Sequence, residues 1–429
     1  MSADTIFALS SGQPPAAIAV VRLSGPHAVA ALEAMAGPCP PPRHAALRTI
    51  RHPASGDVLD RGLVLWFPAK ASVSGEDMVE FHLHGGRAVV SAVQAALAGL
   101  AGIRPARAGE FTWWAFENGR MDLTEVEGLA DLLRAETESQ RRAAQAVAGG
   151  GLSRLVARWQ AQLLVLSALV EAALDFADES DVAPSDDRVD AEARALHGEL
   201  SGLLARPPAE RLHDGVRVAI AGPPNAGKST LLNALIGRDA AIVSPIAGTT
   251  RDIVEAPVSL GGVAFLFSDT AGLRDDSSDA IERIGIDRAA RAAAVADILL
   301  WLGDAEPPAG AARVIRVHAR CDMPGREHPP AGALPLSAHD GTGLDRLIRI
   351  VLDEAATLLP GEGEVALSRR QRDAVAAVAA QLDGVIAAGD DLIRAEHLRE
   401  ARAVLDRLTG SAGTEEMLDA LFGAFCIGK

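Results

Sequence analysis

The chain has 429 residues, enough for about three domains at roughly 150 residues each. Its hydrophobic content of 48% and charged content of 23% are typical of a globular protein with an ample core. The formal net charge of −16 excludes strong, phosphate-driven binding of nucleic acid by the bulk surface, so any RNA contact must be local, weak or shared with a partner.

Three cysteines without a pairing pattern indicate a reducing compartment and no disulfide framework. The N-terminal region has the acidic Asp4 and no basic stretch, so no signal or transit peptide is expected. The most apolar helical run, Leu163–Ala177, is broken by Glu171 and Asp175. We therefore expect a cytoplasmic protein that does not span a membrane.

The first segment, up to about Thr112, has an α+β pattern without a phosphate-binding loop of its own. Strand-like runs cover Ala16–Leu23, Gly62–Phe67 and Met78–His84, and Ala88–Leu100 reads as a helix.

From Leu123 the pattern changes to long helices rich in Ala, Leu, Glu and Arg. They are expected at Leu123–Ala148, Leu152–Asp175 and Asp190–Ala205, with breaks at Gly149–Gly151 and around Pro184.

The segment Gly222–Ser229 matches G-x-x-x-x-G-K-S and lies between a strand-like run, Val216–Ala221, and the start of an amphipathic helix, Ser229–Ile236. Its glycines let backbone N–H groups turn inward around phosphate oxygens, and the helix N-terminus adds its positive dipole end. Lys228 is expected to reach the β- and γ-phosphates, and the Ser229 hydroxyl is expected to ligate Mg²⁺. The pattern predicts a nucleotide-binding loop.

Two switch motifs follow in the order that GTPases use. Gly248–Asp252 lies where the first switch is expected, and its Thr250 would be the second protein ligand of Mg²⁺. The strand-like run Val263–Ser268 leads into Asp269–Gly272, a D-x-x-G turn. Its Asp would hold the metal shell and its Gly N–H would meet the γ-phosphate.

The base site is predicted at two loops. Ala319–Asp322 follows the apolar run Arg313–Val317, where GTPases usually have Asn-Lys-x-Asp. The Asp322 carboxylate would accept from guanine N1–H and N2–H, and the absence of Asn and Lys predicts reduced guanine affinity. The predicted nucleotide contacts are Asn225, Ala226, Gly227, Lys228, Ser229, Thr230, Ser244, Thr249, Thr250, Asp269, Thr270, Ala271, Gly272, Asp322, Ser337, Ala338 and His339.

After the nucleotide-binding unit, helices resume at Leu367–Ala388, Glu396–Leu408 and Glu415–Phe425. Helices on both sides of a self-contained α/β unit predict that this unit is inserted into one helical domain. The expected fold is thus multidomain α/β. It has an α+β domain (1–117), a discontinuous helical domain (118–212 and 361–429) and an inserted Ras-like G domain (213–360).

With these motifs in place, the chain resembles the MnmE (TrmE) family of tRNA-modification GTPases from end to end. Short motifs carry the resemblance in order: Asp4–Ile6, Val21–Gly25, Ser74–Asp77, Val79–His82, His84–Gly86, Gly109–Thr112, Ala115–Phe116, Asn118–Gly119, Asp122–Thr124 and Cys426–Lys429. The resemblance implies action with the flavoprotein MnmG on C5 of wobble uridines in tRNA. It also implies a tetrahydrofolate derivative as the one-carbon source, and an N-terminal domain that binds folate and forms a homodimer.

The family's folate-site residues fall on Arg22, Glu80, Arg120 and Lys429 of this chain. Arg22 suits a carboxylate or carbonyl of the ligand, and Glu80 suits the donors of a pterin ring. Cys426 is included among the candidate catalytic groups through the family's C-x-G-K end, without an assigned chemical role. Two stretches depart from the family: Gln13–Ala17 replaces a glycine-rich stretch with Arg, and Trp113–Trp114 replaces two basic residues.

The hydrolytic groups are also implied by the family. Leu273 stands where many small GTPases have the Gln that orients water, and Glu282 matches the family's catalytic glutamate, acting through a bridging water, alongside Lys228. K⁺ would take the place of an arginine finger when two G domains meet transiently face to face. Its expected ligands are Asn225, Ser244, Ile246 and Thr249.

Two other functions fit parts of the pattern. A regulatory GTPase of ribosome or membrane assembly would share the phosphate loop and switches but would not need Glu80 or Cys426–Lys429. A folate-binding scaffold with a weakened G domain would be consistent with Ala319 and Arg320. Selectivity for GTP against ATP separates that case from a working G domain.

Overall fold

The computed structural model describes residues 4–175, 186–237, 241–242, 254–269, 295–308, 313–361, 363–411, 418, 421–423 and 425–428. The chain forms two compact units, Met1–Ala130 with Asp406–Lys429, and Asp131–Leu405. This division is coarser than the expected domains, so the boundaries after residues 117, 212 and 360 stay predictions.

The first unit is built on a six-stranded sheet in the order β3-β4-β5-β2-β1-β6. The strands are β1 (Thr5–Leu9), β2 (Ile18–Ser24), β3 (Ala46–Arg51), β4 (Val58–Phe67), β5 (Met78–His84) and β6 (Ile103–Pro105). Neighbouring strands are antiparallel except β1 and β6, which are parallel. The helices are α1 (Ala28–Ala36), α2 (Arg87–Ala98), α3 (Glu110–Glu117) and α4 (Leu123–Arg134), with a 3-10 turn at Ala69–Ala71.

The two faces of this sheet differ because side chains alternate along each strand. On one face Val21, Leu23 and Phe81 join the buried core formed with α1 and α2. The opposite face carries Ala8 and, directly across the ladder from it, Arg22. The sheet therefore buries one face against α1 and α2, while the face that carries Arg22 also contributes Ile6 and Ala8 to a small buried cluster with Phe111.

The helices of the second unit are α5 (Glu138–Ala148), α6 (Gly151–Asp175), α7 (Asp186–Leu204), α8 (Glu210–Asp214), α9 (Lys228–Gly237), α10 (Leu344–Ala356) and α11 (Arg369–Ala387), while α12 spans Asp391–Thr409.

The expectation of one helix over Leu123–Ala148 is wrong, because the chain breaks between α4 and α5. Thr137 is the N-cap of α5 and forms a capping box with Gln140. The Thr137 hydroxyl accepts from the Gln140 N–H and the Gln140 amide oxygen accepts from the Thr137 N–H. A Thr-x-x-Gln capping box starts a new helix even in a helix-rich composition.

By length and composition one described helical stretch, Glu138–Asp175, could cross a membrane. It is interrupted between α5 and α6 at Gly150, which has a φ of 76°. Its second part buries Trp159 and Leu163 completely, and the Trp159 indole donates to Glu199 of α7 at 2.7 Å. One such stretch is weak evidence for a membrane span, because core helices of soluble proteins pass the same test of length and composition.

The second unit also contains a seven-stranded sheet in the order β13-β12-β11-β7-β10-β9-β8. Its strands are β7 (Val216–Ala221), β8 (Ala241–Ile242), β9 (Val254–Leu260), β10 (Val263–Asp269), β11 (Ile298–Trp301), β12 (Val314–Ala319) and β13 (Leu334–Leu336). The strands from β13 to β10 are parallel, and β9 and β8 continue the sheet antiparallel. The predicted fold class, with a Ras-like G domain between helical segments, is confirmed.

The β9–β10 hairpin has a close contact at its turn. Gly262 has a φ of 79°, and a Cβ on it would lie 3.1 Å from the Cβ of Glu138. The Ser139 N–H donates to the Gly262 carbonyl oxygen at 3.0 Å. The turn is therefore fixed against the first residues of α5.

Candidate functional site

The predicted phosphate loop lies at the carboxyl end of β7, between the neighbouring strands β10 and β11. Parallel strands direct their carboxyl ends to the same edge, which is where doubly wound sheets bind ligands. A Cβ on Gly222 would lie 3.1 Å from Leu302 Cβ, so a glycine is required for this close approach. Lys228 is 8% exposed, and its ammonium donates to the carbonyl oxygens of Gly222 and Pro223, both at 2.9 Å. The backbone of the loop thus holds the Lys228 ammonium, which is predicted to bind phosphate oxygens.

Asn225 has a left-handed backbone, with a φ of 57°. Asn is one of the few residues other than glycine that adopts this conformation readily. The side chain predicted to hold K⁺ is therefore also suited to the turn itself, and both reasons favour Asn at this position.

The two predicted base loops are tied to each other by backbone hydrogen bonds. The Cys321 N–H donates to the Leu336 carbonyl oxygen at 3.1 Å, at the start of the Ser337–His339 loop. The fully buried Ser337 accepts at its hydroxyl from the His339 N–H, at 3.3 Å. Burial and then the negative charges of Asp340 and Asp322 raise the pKa of the Cys321 thiol. Each of the two base loops thus carries a negative charge near Cys321: Asp322, which is predicted to bind guanine, and Asp340.

Arg320 brings the base loop close to the phosphate loop. It has a φ of 59°, and its Nε lies 3.7 Å from the position that a Cβ on Gly227 would take. Arg320 therefore keeps a positive charge beside the phosphate loop at the position where GTPases usually have Lys.

Among the predicted nucleotide contacts, the structure brings together Asn225–Thr230, Asp322 and Ser337–His339 at one sheet edge. Asp269 ends β10 at the same edge, and its side chain lies outside the described residues. The predicted residues Ser244, Ile246, Thr249, Thr250, Thr270, Ala271, Gly272 and Glu282 also lie outside the described residues. The roles assigned to all of these side chains stay predictions.

The predicted folate residues Arg22 and Glu80 meet on the face of the first sheet opposite α1 and α2, directly across from each other on β2 and β5. Arg22 donates to Glu80 Oε1 through Nε at 3.0 Å and Nη2 at 2.9 Å. His82 Nε2 donates to Glu80 Oε2 at 3.0 Å. The hydrogen bond from His82 lowers the pKa of Glu80, burial opposes this, and the positive charge of Arg22 adds to the lowering. Glu80 is therefore held as a carboxylate.

His82 is the member of this network that sequence reasoning missed. It lies two residues after Glu80 on the same strand, so strand alternation places the two side chains on one face. That spacing within Val79–His82 was the available signal. The Arg22 guanidinium also lies over the Phe111 ring, 5.9 Å from its centroid.

The other two predicted folate residues are placed differently. Arg120 is exposed and donates to the Ala69 carbonyl oxygen at 2.7 Å. Lys429 lies outside the described residues, but the residues before it are described. The Gly428 carbonyl oxygen accepts from the Ser10 hydroxyl at 2.9 Å, which fixes the C-terminal motif beside β1. Cys426 in that motif is an exposed free thiol.

The two stretches that depart from the family have structural roles. Trp114 is buried at 5% exposure, and the Trp113 ring meets Phe422 edge to face, with centroids 4.9 Å apart. Gln13 and Pro14 line a cleft of about 700 Å³ together with Arg87 and Ile427. Aromatic packing at 113–114 thus replaces basic side chains with apolar contacts.

Comparisons with known proteins show the family of the chain. The family model described as GTP-binding protein TrmE N-terminus matches residues 5–120, and the model described as MnmE helical domain matches residues 123–426. A tRNA modification GTPase MnmE of Rhizorhabdus wittichii is 58% identical over 431 residues, covering 100% of this chain and 97% of the relative. A protein of the same name from Erythrobacter litoralis is 54% identical, covering 99% of this chain and 100% of the relative.

Among solved structures, the G domain of the FeoB iron transporter of T. maritima is 24% identical and covers 33% of this chain and 98% of that chain. Its TM-score of 0.23 is too low to add to the assignment. The full-length identity and the two family models decide the matter: the chain belongs to the MnmE (TrmE) family of tRNA-modification GTPases.

Proposed function

We propose that the chain is a K⁺-activated GTPase that acts with the flavoprotein MnmG on C5 of the wobble uridine of certain tRNAs. The products are the carboxymethylaminomethyl and aminomethyl uridines, with a tetrahydrofolate derivative as the one-carbon source. The protein acts in the cytoplasm as a homodimer. The observation that carries the proposal is full-length kinship with tRNA modification GTPases, at 58% identity, in a chain that has both a closed phosphate loop and an Arg22–Glu80 pair.

The G domain would bind GTP with Mg²⁺ and read guanine through Asp322. Ser229 is the second residue of α9, so its hydroxyl is at the helix N-terminus where a phosphate-bound metal lies in GTPases. K⁺, held by Asn225 and the first switch, would supply positive charge near the β–γ bridge. Glu282 would then orient the attacking water through a second, bridging water.

The N-terminal unit would bind the folate. Glu80 is a half-buried carboxylate that can accept from the N–H groups of a pterin ring, and Arg22 beside it can pair with a ligand carboxylate or carbonyl. The side chain of Glu80 is 13% exposed, so it can exchange a partner for a ligand at the surface of the sheet.

The same sheet face supports dimerisation through the N-terminal unit. Leu47 and Leu63 pair directly across β3 and β4 and are 53% and 40% exposed. Ile18 on β2 is 60% exposed. Exposed apolar side chains on one face of a sheet mark a surface that a partner covers.

Mass spectrometry of wobble uridines tests the proposal in a deletion strain that carries the gene on a plasmid. The native gene is expected to restore the modified uridines, and Lys228→Ala and Glu80→Ala are expected not to. Glu110→Ala is a matched control, because Glu110 is 12% exposed and also pairs with an arginine, Arg104, at 2.6 Å. Unmodified uridines with the native gene, in cells that contain MnmG, would contradict the proposal.

A further inference from the structure

The base loop of this chain lacks the side chain that usually supports it. Ala319 ends β12, is 5% exposed and has only a methyl group. The next residue, Arg320, has a φ of 59°, a conformation that residues with a side chain adopt at a cost. The Met323 N–H donates to the Arg320 carbonyl oxygen at 3.0 Å, so the loop turns sharply here. A strained, tight loop that must aim Asp322 needs support from elsewhere.

Arg326 reaches back to the beginning of this loop. Its Nε donates to the Ala319 carbonyl oxygen at 2.9 Å, seven residues earlier in the chain. Its backbone carbonyl oxygen accepts from His318 Nε2 at 2.9 Å. Arg326, which follows the loop, is therefore joined by its side chain to Ala319 at the start of the loop and by its backbone to His318 just before it.

Asp304 completes the arrangement from a third segment, just after β11. Its two carboxylate oxygens lie 3.2 Å from Nη1 and Nη2 of Arg326, and its Oδ1 lies 3.0 Å from His318 Nδ1. His318 is 4% exposed, whereas the Asp304 side chain is 51% exposed, so the contact lies at the edge of the core. The segment that carries Asp304 also borders the phosphate loop, because the Leu302 N–H donates to the Ala221 carbonyl oxygen at 2.8 Å. The network thus links the base loop to the strand end that bears the phosphate loop.

We propose that Arg326, oriented by Asp304 and His318, is the positioning residue that holds the loop Ala319–Asp322 in the conformation that reads guanine, and that it replaces the support normally given by an Asn at position 319. The proposal rests on the proposed reading of guanine by Asp322. Arg326 does not contact the base in this role; it fixes the backbone from which Asp322 projects.

The experiment measures the Kd for GDP and for IDP by fluorescence competition in the native chain and in Arg326→Ala, Ala319→Asn and the double variant. IDP lacks the N2 amino group, so its affinity depends less on where the Asp322 carboxylate is held. Arg326→Ala is expected to weaken GDP binding about tenfold and IDP binding less, because one charge-assisted hydrogen bond is lost. Ala319→Asn is expected to recover most of that loss in the Arg326→Ala background and to give a smaller gain in the native background.

Arg316→Ala is the matched control. Arg316 lies on β12, two residues before His318, and donates to Glu306 at 3.1 Å. Glu306 follows β11, as Asp304 does, so this pair resembles the Arg326–Asp304 pair but does not touch the base loop. If Arg326→Ala is poorly folded, Asp304→Asn replaces it, because the Asp304 side chain is 51% exposed and its loss frees both partners. Equal losses for GDP and IDP, no loss beyond that of Arg316→Ala, or equal gains from Ala319→Asn in both backgrounds would each overturn the positioning role. Equal binding of ATP and GTP by the native chain would instead remove the base site itself.

Discussion

Replacement of Glu80 by alanine is expected to destabilise the N-terminal unit and to weaken folate binding for the same structural reason. The Glu80 carboxylate accepts two N–H groups from Arg22 and one from His82, at 2.9 to 3.0 Å. Its removal leaves the Arg22 guanidinium, which is 21% exposed, without its carboxylate. Hydrogen bonds to charged groups contribute about 1.5–3 kcal/mol each, and part of that is recovered by hydration of Arg22. We expect a loss of about 2–3 kcal/mol in the free energy of unfolding.

A double-mutant cycle isolates the pair from its surroundings. Glu80→Ala, Arg22→Ala and the combination are compared by urea unfolding followed by a signal of the N-terminal unit. Because the two side chains are in direct contact, the double variant should lose less free energy of unfolding than the two single variants together. The difference, the coupling energy, should be about 1–3 kcal/mol. Additive losses would mean that the pair contributes nothing beyond its separate members.

Calorimetry with 5-formyltetrahydrofolate then tests the site. Each single variant should bind folate about 10- to 100-fold more weakly, which corresponds to one lost charge-assisted hydrogen bond. GTP binding should be unchanged, because the phosphate loop belongs to the other compact unit. Glu110→Ala should lower stability but keep folate affinity. Full folate affinity in both Glu80→Ala and Arg22→Ala would refute the assignment of the site.

Three further predictions concern the base site, the cation and pH. Ala319→Asn should tighten GDP binding by about 0.5–1.5 kcal/mol, the contribution of one neutral hydrogen bond, as measured by nucleotide competition; weaker binding would contradict this. GTP turnover should be faster in KCl than in matched NaCl. Asn225→Ala should lose this K⁺ stimulation but still bind nucleotide. Glu282→Ala should lose most hydrolysis, while its G domains should still associate with each other in the presence of GDP and aluminium fluoride. Equal turnover in the two salts would rule out the cation. The hydrogen bond from His82 lowers the pKa of Glu80, although burial opposes this. The stability that the ionised Glu80 gives the folded chain is therefore complete above about pH 4.3 and is lost as pH falls below this value. Glu80→Gln should therefore lose less stability than the native chain between pH 6 and pH 3.5, as measured by urea midpoints; equal losses would contradict the sign.

The sequence predicted the elements that strong local signals define. Val216–Ala221 and Met78–His84 are strands with the predicted bounds, because buried apolar runs with clear ends leave little choice of register. The phosphate loop was predictable for a related reason: its glycines, Lys228 and the following helix are consecutive in the chain.

Features that depend on distant or competing contacts were harder to predict. The break before α5 comes from the Thr137–Gln140 capping box, which outweighs the helix-forming composition around it. The Arg326 network joins three segments that meet only in the folded sheet, and no spacing in the sequence connects Asp304 with Arg326. The sequence showed the loss of Asn at position 319 but not the side chain that takes its place.

The β9–β10 hairpin is held at its turn by contacts with α5. Its turn at Gly262 is fastened to the start of α5, while at the opposite end Val254 and Asp269 pair directly across the two strands. The two segments predicted as switches leave the ribbon together at that end, one before Val254 and one after Asp269. The turn at the other end of the same ribbon contacts Glu138 and Ser139, which precede the predicted G domain in the chain. One hydrogen bond and one glycine contact thus connect the ribbon from which both predicted switch segments continue to the first residues of α5.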